Sequence, residues 1–151
     1  MWILKPDERL RDWKIFRNQI SGQTLEQACS DTAHLWSYAP FVNYYIDPDR
    51  ENSTSPWPDP WTLLHENYYC DVAKALGMLY TIYLSNHKPL DIELRHYQCR
   101  ETREAFNLVW LAKGKYILNF NFDEVVNKTQ LTNTLDLKFR YTALDLNLDQ
   151  Y

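Results

Sequence analysis

Apolar positions along this chain change period once. Up to residue 84 they recur every three or four residues, the spacing of helices; from residue 91 they alternate, the spacing of strands. Four helical segments and four strands follow from that switch. Lys5 to Gln19 predicts a first helix with Leu10, Trp13, Phe16 and Ile20 as its apolar stripe, stopped by Ser21-Gly22. Thr24, with Gln27 three residues on, is a capping box that opens a second helix from about Leu25 to Tyr38. Its inward face is Ala28, Cys29, Thr32 or Ala33, and Trp36, and Pro40 ends it.

The stretch from Trp57 to Leu84 dominates the pattern. Asp59-Pro60 is a helix start, because the carboxylate can accept from orphan N–H groups and proline lacks an N–H where none is needed. A short turn through Leu64 and a break at Asn67 to Tyr69 should follow. From Cys70 a longer helix sets Cys70, Ala73, Gly77 and Leu84 on a small-residue face, flanked by Val72, Leu76, Leu79 and Tyr83. A face that broad belongs to a buried helix. Gly77 costs roughly 1 kcal/mol against alanine in an open helix, so its place on the small face predicts close approach of a neighbour.

Strands are expected over Asp91–Gln98, Phe106–Leu111, Tyr116–Phe122 and Leu135–Tyr141, with Gly114 at the positive-φ position of a hairpin in Ala112-Lys-Gly-Lys115. The tail from Ala143 to Tyr151 is polar on alternate residues and is expected to be a strand only if another surface pairs with it. Helices first and an antiparallel sheet afterwards define an α+β arrangement, with the central helix packed on three or four strands. The 151 residues are read as one domain. It comprises a helical lead-in (1–40), an ordered loop (41–58), a helix-plus-sheet core (59–122) and a C-terminal strand and tail (131–151).

Composition narrows the function. Net charge is −4 with the signs mixed and no basic run, which argues against nucleic acid as a partner. No stretch nears the roughly 18 apolar residues of a membrane span. The first ten residues carry charge too early for a signal peptide, so a cytoplasmic, host-cytoplasmic or virion setting is expected. Three cysteines without close spacing favour reduced thiols over a disulfide framework. No cofactor motif is present. The aromatic fraction, 15%, is high. Trp57, Trp61, Tyr44-Tyr45 and Tyr68-Tyr69 either pack the 41–58 loop onto the helices or anchor a protein partner.

Cys70 is the residue with most chemistry. A helix N-terminus favours a thiolate through its macrodipole and free N–H groups; the plain alternative is a buried structural cysteine. His65, about a turn earlier, and His96, on the predicted strand Asp91–Gln98, are the histidines that could reach it. His65, Cys70, His96 and Cys99 are also zinc-type ligands, but without a CxxC pair their spacing matches no zinc motif, and no metal site is assigned.

A helix-leading cysteine, a small-residue helix and an antiparallel hairpin, over Asp59 to Asp123, resemble the core of the transglutaminase-like superfamily within the papain-like thiol hydrolases. The resemblance implies Cys70 as nucleophile. Its base position falls on Asn107 and its orienting position on Asn119 or Asn121, with Asp123 just beyond. Asparagine takes no proton from a thiol, so the resemblance implies a pseudoenzyme. Its role is then a non-enzymatic binding or structural component of an assembly. The chain is also similar in style to small accessory proteins of tailed bacteriophages. On that reading the partners are other protein subunits, joined through Thr134 to Tyr151 by strand addition, and loss of 143–151 leaves the monomer folded. The alternative is an active cysteine amidase, peptidase or acyltransferase that pairs Cys70 with His96 or His65.

Overall fold

A computed structural model describes residues 1–43, 46–49 and 56–151. It holds four α-helices, α1 (Pro6–Ser21), α2 (Leu25–Ser37), α3 (Pro60–Glu66) and α4 (Asp71–Tyr83). Four strands follow, β1 (Glu93–Cys99), β2 (Ala105–Leu111), β3 (Tyr116–Leu118) and β4 (Leu135–Thr142), in one antiparallel sheet of order β3-β2-β1-β4. The fold is α+β, as the change of period predicts.

The caps act where the sequence places them. Thr24 accepts from the Gln27 N–H, Asp59 accepts from the Thr62 N–H, and Pro60 occupies the first turn of α3. Asn67 ends α3 in the left-handed region at φ 60°, a conformation its short amide tolerates. The predicted inward face of α2 is buried throughout.

α4 is the axis of the main core, and eleven of its thirteen residues are buried. A Cβ on Gly77 would lie 2.3 Å from the Trp36 ring of α2, which is the close approach its position predicts. Thr81, one turn on, accepts hydrogen bonds from the indoles of Trp13 (3.0 Å) and Trp36 (2.9 Å) and donates to the Gly77 carbonyl. One hydroxyl thus satisfies two buried indoles and joins α1, α2 and α4.

The two faces of the sheet are covered differently. Leu94, Val109, Leu111 and Leu118 pack into the main core with α4. Tyr97, Leu108, Ile117 and Val126 form a second, smaller cluster on the opposite face.

Two expectations need correction. β3 ends at Leu118 instead of Phe122, because Asn119 turns left-handed at φ 70° and the chain folds back. Val126 then pairs with Ile117 through two backbone hydrogen bonds. The tail from Ala143 is not a free arm: it turns back, Leu146 and Leu148 enter the main core, and Tyr151 meets Trp61 edge-on at 5.3 Å. Removing 143–151 therefore uncovers the core, so the monomer is not expected to survive its loss. Arg9, one turn before Trp13 on the buried face of α1, is buried as well, and its guanidinium donates to the carbonyls of Leu4, Leu64 and His65. It closes the C-terminal end of α3, where carbonyls lack helical partners.

Candidate active site

Cys70 is the N-cap residue of α4, in extended conformation at φ −78°, ψ 179°. Its position follows from the chain before it. The left-handed Asn67 turns the backbone out of α3, Tyr69 pairs with Phe41 in an isolated bridge, and the Cys70 carbonyl accepts from the Lys74 N–H to begin the helix. The thiol is 4% exposed. Among the described residues its sulfur faces the backbone of Ile46, 3.4 Å from the N–H and 4.0 Å from the carbonyl.

Asp71, the first helical residue, is the centre of a polar array between α4 and the sheet. Oδ2 accepts from the backbone N–H (3.2 Å) and the side-chain amide (2.8 Å) of Asn107 on β2. Oδ1 accepts from the Asn119 amide at 3.2 Å. The same Asn119 amide donates to the Asn107 carbonyl at 2.9 Å. Burial raises the Asp71 carboxyl above its ordinary value, against the opposing pull of the two asparagine amides and of Lys74. A carboxylate in the first turn of a helix is also stabilised by the helix dipole.

His96 extends the array onto β1. It lies opposite Asn107 in the β1–β2 register, so the two side chains share the face toward α4. Its Nδ1 is 2.7 Å from the Asn107 Oδ1. The Asn107 amide nitrogen is committed to Asp71, so the oxygen must face the imidazole and Nδ1 must donate. That tautomer leaves Nε2 unprotonated, able to accept a proton. The ring lies tilted against Phe139 of β4, centroids 5.7 Å apart.

The remaining sequence candidates separate. Asn121, beyond the end of β3, is exposed and bonds Glu124, so Asn119 takes the place in the array that the two shared on sequence. Asp123 lies 2.9 Å from the His34 ring and accepts nothing from β2; its backbone N–H donates to Ser37. His65 is exposed beside the start of α1, while Cys99 closes β1 next to Thr134. The four zinc-type side chains therefore do not converge.

The aromatic candidates also divide. Tyr69 is fully buried between Trp2 and Trp36, so it is core and not an anchor. Trp57 packs edge-on against Tyr141. Trp61 and Tyr68 remain exposed, at 44% and 57%. Tyr44 and Tyr45 lie outside the described residues.

Asp71, the hub of the array, is not among the site residues expected from sequence. A carboxylate directly after a helix-capping residue, with two asparagines on facing strands, is the signal that could have found it.

A cysteine at the head of a buried helix, set against an antiparallel sheet whose strands offer histidine and amide side chains, is the arrangement that the resemblance to the transglutaminase-like superfamily leads one to expect. Solved structures of LapG from Legionella pneumophila are similar in fold to this chain. The calcium-bound form matches at TM-score 0.66 and 11% identity over 90% of this chain and 75% of that one. LapG itself and its EGTA-treated form match at 0.67 and 11% identity over 91% of this chain, and over 75% and 74% of theirs. At such identity the likeness carries the fold alone. No family model matches the sequence, and no curated protein does. The similarity to phage accessory proteins finds no support in these comparisons. Among the described residues no three His, Cys, Asp or Glu side chains gather to hold a metal.

Proposed function

We propose that this chain is a cysteine-dependent amidase or peptidase of transglutaminase-like fold, with Cys70 as nucleophile, His96 as base and Asn107 as the residue that orients the imidazole. The observation that carries the reading is the 2.7 Å His96–Asn107 hydrogen bond, held beside the start of α4 by Asp71. Cys–His–Asn is a known arrangement of thiol proteases. Asn107 stands where the family resemblance puts the base, but its neighbour on β1 supplies the imidazole that asparagine lacks.

In this mechanism the Cys70 thiol gives its proton to the His96 Nε2. The thiolate attacks an amide carbonyl, and the C–N bond breaks as the imidazolium returns the proton to the leaving amine. Water, deprotonated by the same imidazole, then cleaves the thioester and frees the thiol. Cys70 reaches this state only when its sulfur turns from the Ile46 backbone toward β1.

The sulfur's burial against Ile46 favours a second reading, a non-enzymatic binding component on the same fold. Its partner would be another protein subunit, which Trp61, Tyr68 and the outer edge of β4 could engage.

Thiol alkylation separates the two. Cys29 and Cys99 serve as internal references. Burial pushes the Cys29 thiol up to about 12. Hydrogen bonds from Thr102, and then Thr134, draw the Cys99 thiol down to about 7. With iodoacetamide at pH 7, followed by peptide mass mapping, Cys99 should react ahead of Cys29. The enzyme reading expects Cys70 to react at least as fast as Cys99 and to slow about tenfold or more in His96→Gln. A Cys70 that reacts as slowly as Cys29, or equally fast in both proteins, leaves the binding reading.

A further inference from the structure

The face of the sheet turned away from α4 carries a cavity of about 420 Å³ that the proposed chemistry does not use. Its polar wall is built on one carboxylate. Glu93 of β1 is buried, and its Oε1 accepts from Arg95 Nη2 at 2.8 Å and from Arg95 Nε at 3.2 Å. Its Oε2 accepts from Arg140 of β4. The Arg95 guanidinium lies over the Trp110 ring, 3.9 Å from its centroid. A Cβ on Gly114 would lie 2.6 Å from a Trp110 ring carbon, so the absence of a side chain lets the backbone close on that ring, and its φ of +84° favours glycine. The tryptophan and the first arginine are thus fixed by packing.

Glu93 neutralises only part of the charge. Lys113, Lys128 and Arg140 also line the cavity, against Asp91 as the one other acid. Asp91 already accepts the Lys113 backbone N–H. Four cations facing two carboxylates make a positive hollow on a protein whose net charge is −4. Among the described residues, the two lysine amines and the terminal nitrogens of Arg140 hold no hydrogen bond. The Arg140 side chain is half exposed.

We propose that this cavity binds a small polyanion bearing phosphate or carboxylate groups. Arg140 presents a guanidinium edge that fits two oxygens at once, and Lys113 and Lys128 supply point charges beside it. The volume lies at the lower end of small-molecule sites, which suits a compact anion and not a polymer. The Arg95–Trp110 stack forms a rigid floor. Binding here is separate from Cys70, which lies on the α4 side of the sheet.

The test titrates the whole protein with inorganic pyrophosphate and, separately, with citrate, following backbone and indole N–H signals by NMR and affinity by calorimetry. The expected result is saturable one-to-one binding of one or both anions, with shifts at Trp110, Lys113 and Lys128. Preference between the two probes tells phosphate from carboxylate recognition. Lys113→Gln and Lys128→Gln, neither of which touches Glu93, should each weaken binding about tenfold while leaving the unliganded spectrum intact. No saturation by about 10 mM of either anion, or affinity unchanged in both variants, overturns the proposal. Shifts spread evenly over surface lysines do the same. Cys70→Ser should bind like the wild type, so failure here and failure of the peptidase reading are distinguishable.

Discussion

Two polar clusters flank the same pair of strands, and they solve the burial of a carboxylate in different ways. On the α4 side, Asp71 is surrounded by neutral donors, the amides of Asn107 and Asn119, with His96 at the outer end. On the far side, Glu93 is held between two guanidiniums. Neutral donors give the carboxylate hydrogen bonds on both oxygens without cancelling its charge, and burial raises the Asp71 carboxyl. Guanidiniums cancel the charge and leave cations to spare at the surface. The first arrangement fixes side chains relative to one another, as a catalytic array requires. The second leaves positive charge facing solvent, as recognition of an anion requires.

The sharpest way to break this contrast is Asp71→Ala. It strands the Asn107 backbone N–H and side-chain amide in a buried site, while the Asn119 amide keeps its bond to the Asn107 carbonyl, and a loss of about 3 kcal/mol is expected. Urea denaturation measures it; a loss under about 1 kcal/mol would mean that the donors find other partners.

Glu93→Gln should cost less, about 1–2 kcal/mol. The Arg140 side chain reaches solvent when released, and Arg95 keeps its stack on Trp110. The same melts in low and high salt sharpen the point. Raising salt should narrow the gap between Glu93→Gln and wild type, while the Asp71→Ala gap stays nearly constant.

The smallest effect is one of pH. The folded protein holds the Asp71 proton more tightly than the unfolded chain, so this group favours folding when protonated. Its contribution is lost as pH rises from the ordinary carboxyl value of 3.8 through the raised folded-state value. Wild-type stability relative to Asp71→Asn should therefore fall over that window as pH increases. A gap that widens with pH instead would show that the asparagine amides outweigh burial.

The sequence by itself determined the helices, their caps and the α+β class. These rest on local chemistry: Thr24 and Asp59 accept orphan N–H groups wherever the chain folds, and alternation marks a strand before its neighbour is known. Cys70 at the head of a buried helix was legible for the same reason. Partnership was decided by the tertiary structure. His96 and Asn107 are eleven residues apart, and only the β1–β2 register brings them opposite each other. Nothing local foretold that Asn119 would turn left-handed and end β3, that Arg9 would be buried to close α3, or that Leu146 and Leu148 would enter the core. Each of these trades a local preference for contacts with residues far away in the chain, and such contacts have a free energy only once the remote surface has been assembled.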